Sequence, residues 1–153
     1  MRLSPNFFST KTYGHERGLS CAFRQWKADS HCNLLHGYSL SFSFTFGGYV
    51  LDETNWVVDF GDLKPLEQWL RDNFDHTTAV AYTDPHYGMF TEMSEKGLID
   101  MVPVAATGCE MFALMAFDFA TDLIAKKYGE RCWVESVEVR EHGANSAIVK
   151  RLD

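Results

Sequence analysis

The chain has no Cys-x-x-Cys pair, no apolar run long enough to span a bilayer, no Pro- or Ser-rich linker and no excess of basic residues. Each absence excludes something. The apolar stretches at residues 111–120 and 40–46 fall short of the roughly 20 residues that a membrane helix needs. The N-terminus shows no leader-like apolar core after its charges, so a cytoplasmic protein without a membrane partner is expected. A formal charge of −7, from 14 basic and 21 acidic residues, argues against nucleic acid as a partner, because its phosphates attract Lys and Arg patches. The cysteines, Cys21, Cys32, Cys109 and Cys132, sit in a chain large enough to bury its own core, and they read as free thiols. With no repeat or linker to mark a boundary, residues 1–153 read as a single domain.

What is present begins with a strand. Over residues 38–46 every even position is apolar (Tyr38, Leu40, Phe42, Phe44, Phe46) and every odd one is a hydroxyl (Ser39, Ser41, Ser43, Thr45), the alternation of a strand with one buried face. The small hydroxyls suit a face shared between subunits and equally suit an ordinary exposed strand. Gly47 and Gly48 end the run, and Trp56-Val57-Val58 reads as a neighbouring antiparallel strand. From Gly61 the period becomes helical. Leu63, Leu66, Trp69, Leu70 and Phe74 predict a helix over residues 62–73, with Asp59 or Asp62 as cap and Pro65 in the first turn. A second helix starts at Thr107, whose spacing to Glu110 fits a capping box, and ends at Lys126-Lys127 and Gly129. Residues 77–103 between them read as a long loop with a short helix over 87–95. Residues 6–12, 19–26, 133–141 and 145–151 complete the strands, so the order implies an α+β fold with the helices on one face of a sheet.

The chemistry-bearing residues are unevenly spread. The segment from His31 through Cys32 and His36 to Tyr38 holds a thiol and two imidazoles just before a buried strand, suited to metal ligation or to acid–base work. Buried Cys and strand-end His are also common structural residues. Asp75-His76 offers an imidazole beside a carboxylate, provided the side chains meet. Glu141 continues the row of Val137 and Val139, placing at the end of an apolar face a carboxylate suited to the N–H edge of a guanidine-like heterocycle, or else to a salt bridge with Arg140 or Arg151. Glu110 is explained by the capping box alone.

Taken in order, Cys32 through Ser39, Trp56 through Lys64, Phe74-Asp75-His76, Glu110 and Val137 through Glu141 resemble the 6-pyruvoyl- and 6-carboxy-tetrahydropterin synthase family. The matching pieces are its Cys-x-x-x-His-Gly-His stretch, its Asp-Phe-Gly/Ala-x-Leu-Lys segment, its Asp-His pair and its last strand ending in Glu. The resemblance implies a tunnelling fold, in which an antiparallel four-stranded sheet with two helices on one face assembles into an oligomeric barrel, so that a homo-oligomer (trimer or hexamer) is expected. It also implies a pterin substrate such as 7,8-dihydroneopterin triphosphate and lyase chemistry. By the same resemblance Cys32 is the proton-abstracting base, Asp75 and His76 assist proton transfer, and Glu141, with Glu110, holds the pterin ring. Arg17, Arg24 and Lys27 lie near enough in sequence to be phosphate contacts.

The chain departs from that family at the metal. The resemblance implies Zn2+ on three His, yet only His36 matches, with Phe23 and Tyr38 standing at the other two positions. Three readings follow: a mixed site in which Cys21 joins His36 with His31 or His15, a metal-free reaction, or a non-catalytic pterin- or purine-binding oligomer that has lost the zinc site. Loss of the standard site is favoured, because three protein ligands are the usual catalytic minimum.

Overall fold

The alternating run forms the body of β3 (His36–Gly48) in a computed structural model that describes residues 6–153. Leu40, Phe42, Phe44 and Phe46 are fully buried, as period-2 patterning requires of a strand with one face on a core. β1 (Phe7–Tyr13) and β2 (Leu19–Phe23) follow one another along one edge of β3, and β6 (Cys132–His142) lies on the other edge with β7 (Asn145–Lys150) outside it, all antiparallel. β4 (Thr77–Ala81) and β5 (Met101–Val104) extend the sheet from β2 in parallel. The expected reading over the first residues, including the absence of a leader, concerns residues 1–5, which lie outside the described residues.

The sheet is therefore mixed and has seven strands, not four antiparallel ones, and the described residues form three α-helices rather than two. The discrepancy arises in residues 77–103, read from sequence as loop. All five residues of β4 are buried, and a parallel strand covered on both faces carries no polar alternation to reveal it. The short helix expected there is α2 (Tyr87–Glu95). Trp56-Val57-Val58 is not a strand. The Asp52 carboxylate accepts from the N–H groups of Thr54 and Trp56, an Asx-type turn that tucks Val57 and Val58 into the core.

α1 (Lys64–Phe74) and α3 (Cys109–Tyr128) cover the apolar face, with Phe74 packed on Phe42 (4.8 Å between ring centroids) and on Phe112 (5.2 Å). Asp59 caps the 3-10 turn before α1 by accepting from Gly61 N–H at 2.8 Å, and Pro65 occupies the first turn as expected. The Thr107–Glu110 capping box does not form. The N-cap is Gly108, at φ 113°, and the Thr107 hydroxyl instead donates to Arg24 O at 2.7 Å. Glu110 thus keeps its carboxylate free of that duty.

Two register shifts shape β6. The first, opposite Thr45 and Phe46, lets Cys132, Val134, Val137 and Val139 all face the core. The second falls between Arg140 and His142, leaving Glu141 as the extra residue, and bulges of this kind re-aim the residue they contain. All cysteines are free. Among the described residues no helix is long and apolar enough to cross a membrane.

Candidate functional site

Cys32 sits on a 3-10 turn, His31–Asn33, between β2 and β3. The turn is tied down by Ser30 Oγ accepting from Cys32 N–H and by Cys32 O accepting from Gln25 N–H at 2.9 Å. At the start of β3, Gly37 pairs with Ala22, and a Cβ there would come within 2.8 Å of Cys21 O. That close approach is the physical need for glycine between His36 and Tyr38. His36 pairs with Phe23 and Tyr38 with Cys21, so all four side chains share the face that meets α3.

On that face the positions read from sequence as metal ligands form an aromatic cluster. Phe23 lies 5.6 Å from His36, 6.2 Å from Tyr38 and 5.1 Å from Phe112, and His36 lies 5.3 Å from Tyr38. His36 Nδ1 is 2.6 Å from Leu34 O. Cys21, the proposed substitute ligand, is 0% exposed, and burial pushes its thiol up against the weaker opposing hydrogen bonds from Thr77 and Ala79. His15 is held on Ser39 O. Among the described residues no group of three or more His, Cys, Asp or Glu side chains converges where a metal ion could bind. Zinc does not fit this donor set, and the mixed Cys21–His36–His31/His15 site is not formed.

Two carboxylates border the cluster. Glu141 stands in its bulge at the end of the Val137–Val139 row, and Glu110 stands in the first turn of α3. The salt bridges open to Glu141 are not made: Arg140 pairs with Glu138 at 2.9 Å, and Arg151 lies over the Trp133 ring. Among the described residues neither Glu141 nor Glu110 has an ion-pair partner. Cys109 is pushed up to about 12 by burial and then by the charges of Glu141 and Glu110. The Tyr38 phenol is raised by burial and then by Glu141, Cys32 and Cys109. These mutual influences gather Cys32, Tyr38, Cys109, Glu110 and Glu141 into one neighbourhood. Sequence reasoning found three of them and treated Tyr38 and Cys109 only as departures; the even-position alternation places Tyr38 on the inner face and was the available signal.

Asp75 and His76 do meet, with His76 Nδ1 2.5 Å from Asp75 Oδ1 and Arg71 steadying the carboxylate from 3.4 Å. The imidazole is 87% exposed, on a residue with φ 57°. No hydrogen bond or ion pair joins the couple to Cys32, Glu110 or Glu141 among the described residues. His76 precedes Thr77, which pairs with Cys21, whereas Cys32 follows the C-terminal end of β2. Couple and thiol therefore flank the parallel β2–β4 pair from opposite ends.

The basic residues read as phosphate contacts are largely committed elsewhere. Arg24 makes a bidentate pair with Asp84 (2.8 and 3.1 Å) and donates to Asn33 Oδ1 at 2.9 Å, and Arg17 pairs with Glu67 at 3.3 Å. Lys27 rests over Trp26. A cleft of about 320 Å³ beneath Phe7, Phe8, Trp56 and Phe60 contains none of the candidate residues.

Comparison with known proteins agrees with this architecture. The model of the family described as 6-pyruvoyl tetrahydropterin synthase matches residues 14–151. A 6-carboxy-5,6,7,8-tetrahydropterin synthase of Aquifex aeolicus is 30% identical over 104 residues, 67% of this chain, and the match spans 64% of that relative's length. Among solved structures, an uncharacterised Wolinella succinogenes protein superposes with a TM-score of 0.82 at 16% identity, covering 97% of this chain and all of that one. The Plasmodium falciparum 6-pyruvoyl tetrahydropterin synthase does so at 0.70 and 16%, covering 95% and 98%. At such identities the superpositions establish the fold alone.

Proposed function

Since the chain belongs to the 6-pyruvoyl tetrahydropterin synthase family, we propose that it is a cytoplasmic, homo-oligomeric lyase acting on 7,8-dihydroneopterin triphosphate or a related pterin. The observation that carries this reading is the pair of unpartnered carboxylates, Glu141 and Glu110, beside a thiol and an aromatic wall. A carboxylate accepts two parallel N–H bonds, which suits the amino-pyrimidine edge of a pterin, and the aromatic faces suit its flat ring. In this reading Glu141 anchors the ring, Glu110 adds a second contact, and Cys32 takes a proton from the side-chain carbon. Asp75 and His76 return or relay protons, and because they stand apart from Cys32 within one chain, a second copy supplies them. The open edges of β1 and β7 and the small hydroxyls of β3 support assembly into the barrel expected from the family. No step is assigned to a metal.

A second reading has its own support. An aromatic cluster where the family keeps ligands is compatible with a pterin- or purine-binding oligomer that performs no chemistry. Incubation of purified protein with 7,8-dihydroneopterin triphosphate, followed by product chromatography and a parallel binding titration, separates the two. Turnover lost in Cys32→Ala with binding retained supports the lyase; tight binding with no turnover supports the binding protein; neither binding nor turnover rejects both.

A further inference from the structure

The rebuilt cluster contains one polar group with nothing to do. The carbonyl of Leu34 only accepts, so at 2.6 Å the proton lies on His36 Nδ1, and in the neutral ring His36 Nε2 is then an acceptor. Phe23 and Phe112 carry no polar atom, and the Cys21 thiol is sealed in the core. Glu110 and Glu141 are acceptors when ionised. The Tyr38 hydroxyl is thus the side-chain donor of this neighbourhood, and among the described residues no hydrogen bond engages it. Its ring is fixed by His36 on one side (5.3 Å, 84° between planes), by Phe23 (6.2 Å, 47°) and by His142 (6.1 Å, 52°), with its backbone locked in register opposite Cys21. A rigid, uncommitted donor beside a thiol and two acceptors is what a developing oxyanion requires.

We propose that Tyr38 is a catalytic residue of a metal-free site, its O–H donating to the side-chain oxygen of the pterin next to the carbon that loses its proton to Cys32. The proposal rests on the lyase reading above. In the step it serves, the C–H bond breaks and the proton passes to Sγ as S–H. The electron pair left on carbon spreads into the adjoining C=N or C=O bond, and the phenol keeps its own proton while its hydrogen bond shortens. The site needs no oxidant, reductant or metal for that balance. Tyr38 would supply as a hydrogen bond part of what a Lewis acid supplies elsewhere.

The test uses the assembled protein, treated with chelator and assayed on 7,8-dihydroneopterin triphosphate, as wild type, Tyr38→Phe and the double variant Phe23→His/Tyr38→His. Expected are turnover that survives chelation, a fall in kcat of about 10²–10³-fold in Tyr38→Phe with KM within a few-fold, and an unchanged melting temperature. The double variant, which restores three His on this face, should acquire stoichiometric zinc where the wild type holds none. Turnover abolished by chelation and restored by zinc would overturn the proposal, as would an undiminished kcat in Tyr38→Phe. If the wild type binds the pterin but turns nothing over, the lyase reading fails and this one with it. A Tyr38→Phe protein that melts early is replaced by Tyr38→Met, for which the same kcat and KM split is required.

Discussion

Two polar clusters flank the β2–β3 connection, and they differ in how their hydrogen-bonding capacity is used. At Arg24, Asp84 and Asn33 it is filled: the guanidinium holds both Asp84 oxygens, Asn33 Oδ1 and Asn33 O, while Asn33 Nδ2 donates to Trp26 O and Ala28 O. At Cys32, Tyr38, Glu110 and Glu141 the side chains are partly covered by neighbours yet find no such partners. Leaving a desolvated polar group unpaired costs about 1–3 kcal/mol, so an unpaired set beside a paired one marks where a ligand completes the bonding. The first cluster is structure and the second is reserved for function.

Substitutions that separate activity from stability break or sharpen this contrast. The largest effect is expected from Cys32→Ala, with turnover down about 10²–10⁴-fold, the range of a lost general base, and an unchanged melting temperature. Asp84→Ala should do the converse. Its carboxylate is 2% exposed against an Arg24 at 16%, and removing one partner of a buried pair costs about 3–5 kcal/mol, read as a lower denaturant midpoint with activity per folded molecule kept. Burial raises the Asp84 carboxyl, but the Arg24 hydrogen bonds, the His86 N–H and their charges more than reverse this and hold it below the usual range. Stability from that depression is present above about pH 4, the unfolded value, and is lost as pH falls through the lower folded one. A Cys32→Ala protein that melts early, or an Asp84→Ala protein of normal stability, would erase the distinction.

Smaller effects refine it. Glu141→Gln should weaken pterin binding by about 1.5–3 kcal/mol, the worth of a hydrogen bond to a charged group, without moving the melting temperature. An equal affinity by titration calorimetry would remove Glu141 from the site. Gly37→Ala should destabilise the fold by about 1–3 kcal/mol, since its Cβ would press on β2 backbone. If chemical denaturation shows no change, the glycine between His36 and Tyr38 is not a packing requirement.

Legibility from sequence followed the physics of each element. β3 was plain because one face is buried and the other is not, and α1 was plain from its periodic Leu and Phe positions. β4 was invisible because burial on both faces removes alternation, and Val57-Val58 misled because a β-rich pair can plug a core from a turn. The Thr107 capping box failed because Arg24 O, distant in sequence, took the hydroxyl. Of the candidate site, the meeting of Asp75 with His76 is a local matter that adjacency suggested. That Glu141 owes its direction to a bulge, or that Tyr38 is left as a lone donor, depends on register and on partners supplied from other strands, which no spacing along the chain encodes.

The smallest expected effect tests the saturated class at a second place. Tyr128, at the end of α3, accepts from Asp59 N–H at 2.9 Å and donates to Asp62 Oδ2 at 2.6 Å, tying that helix to the turn before α1. Burial and then the bond to Asp62 push the phenol up to about 12. A phenol raised in the folded state and near 10 in the unfolded chain stabilises fully below pH 10, and that contribution disappears as pH climbs toward 12. Tyr128→Phe should therefore cost about 1 kcal/mol at pH 7 and lose stability less steeply in alkali. Some alkaline slope persists, because burial likewise holds Tyr13 at about 12. Urea midpoints at pH 7, 10 and 11 decide the matter: parallel curves for the variant and the wild type would mean that this phenol is spectator rather than tie.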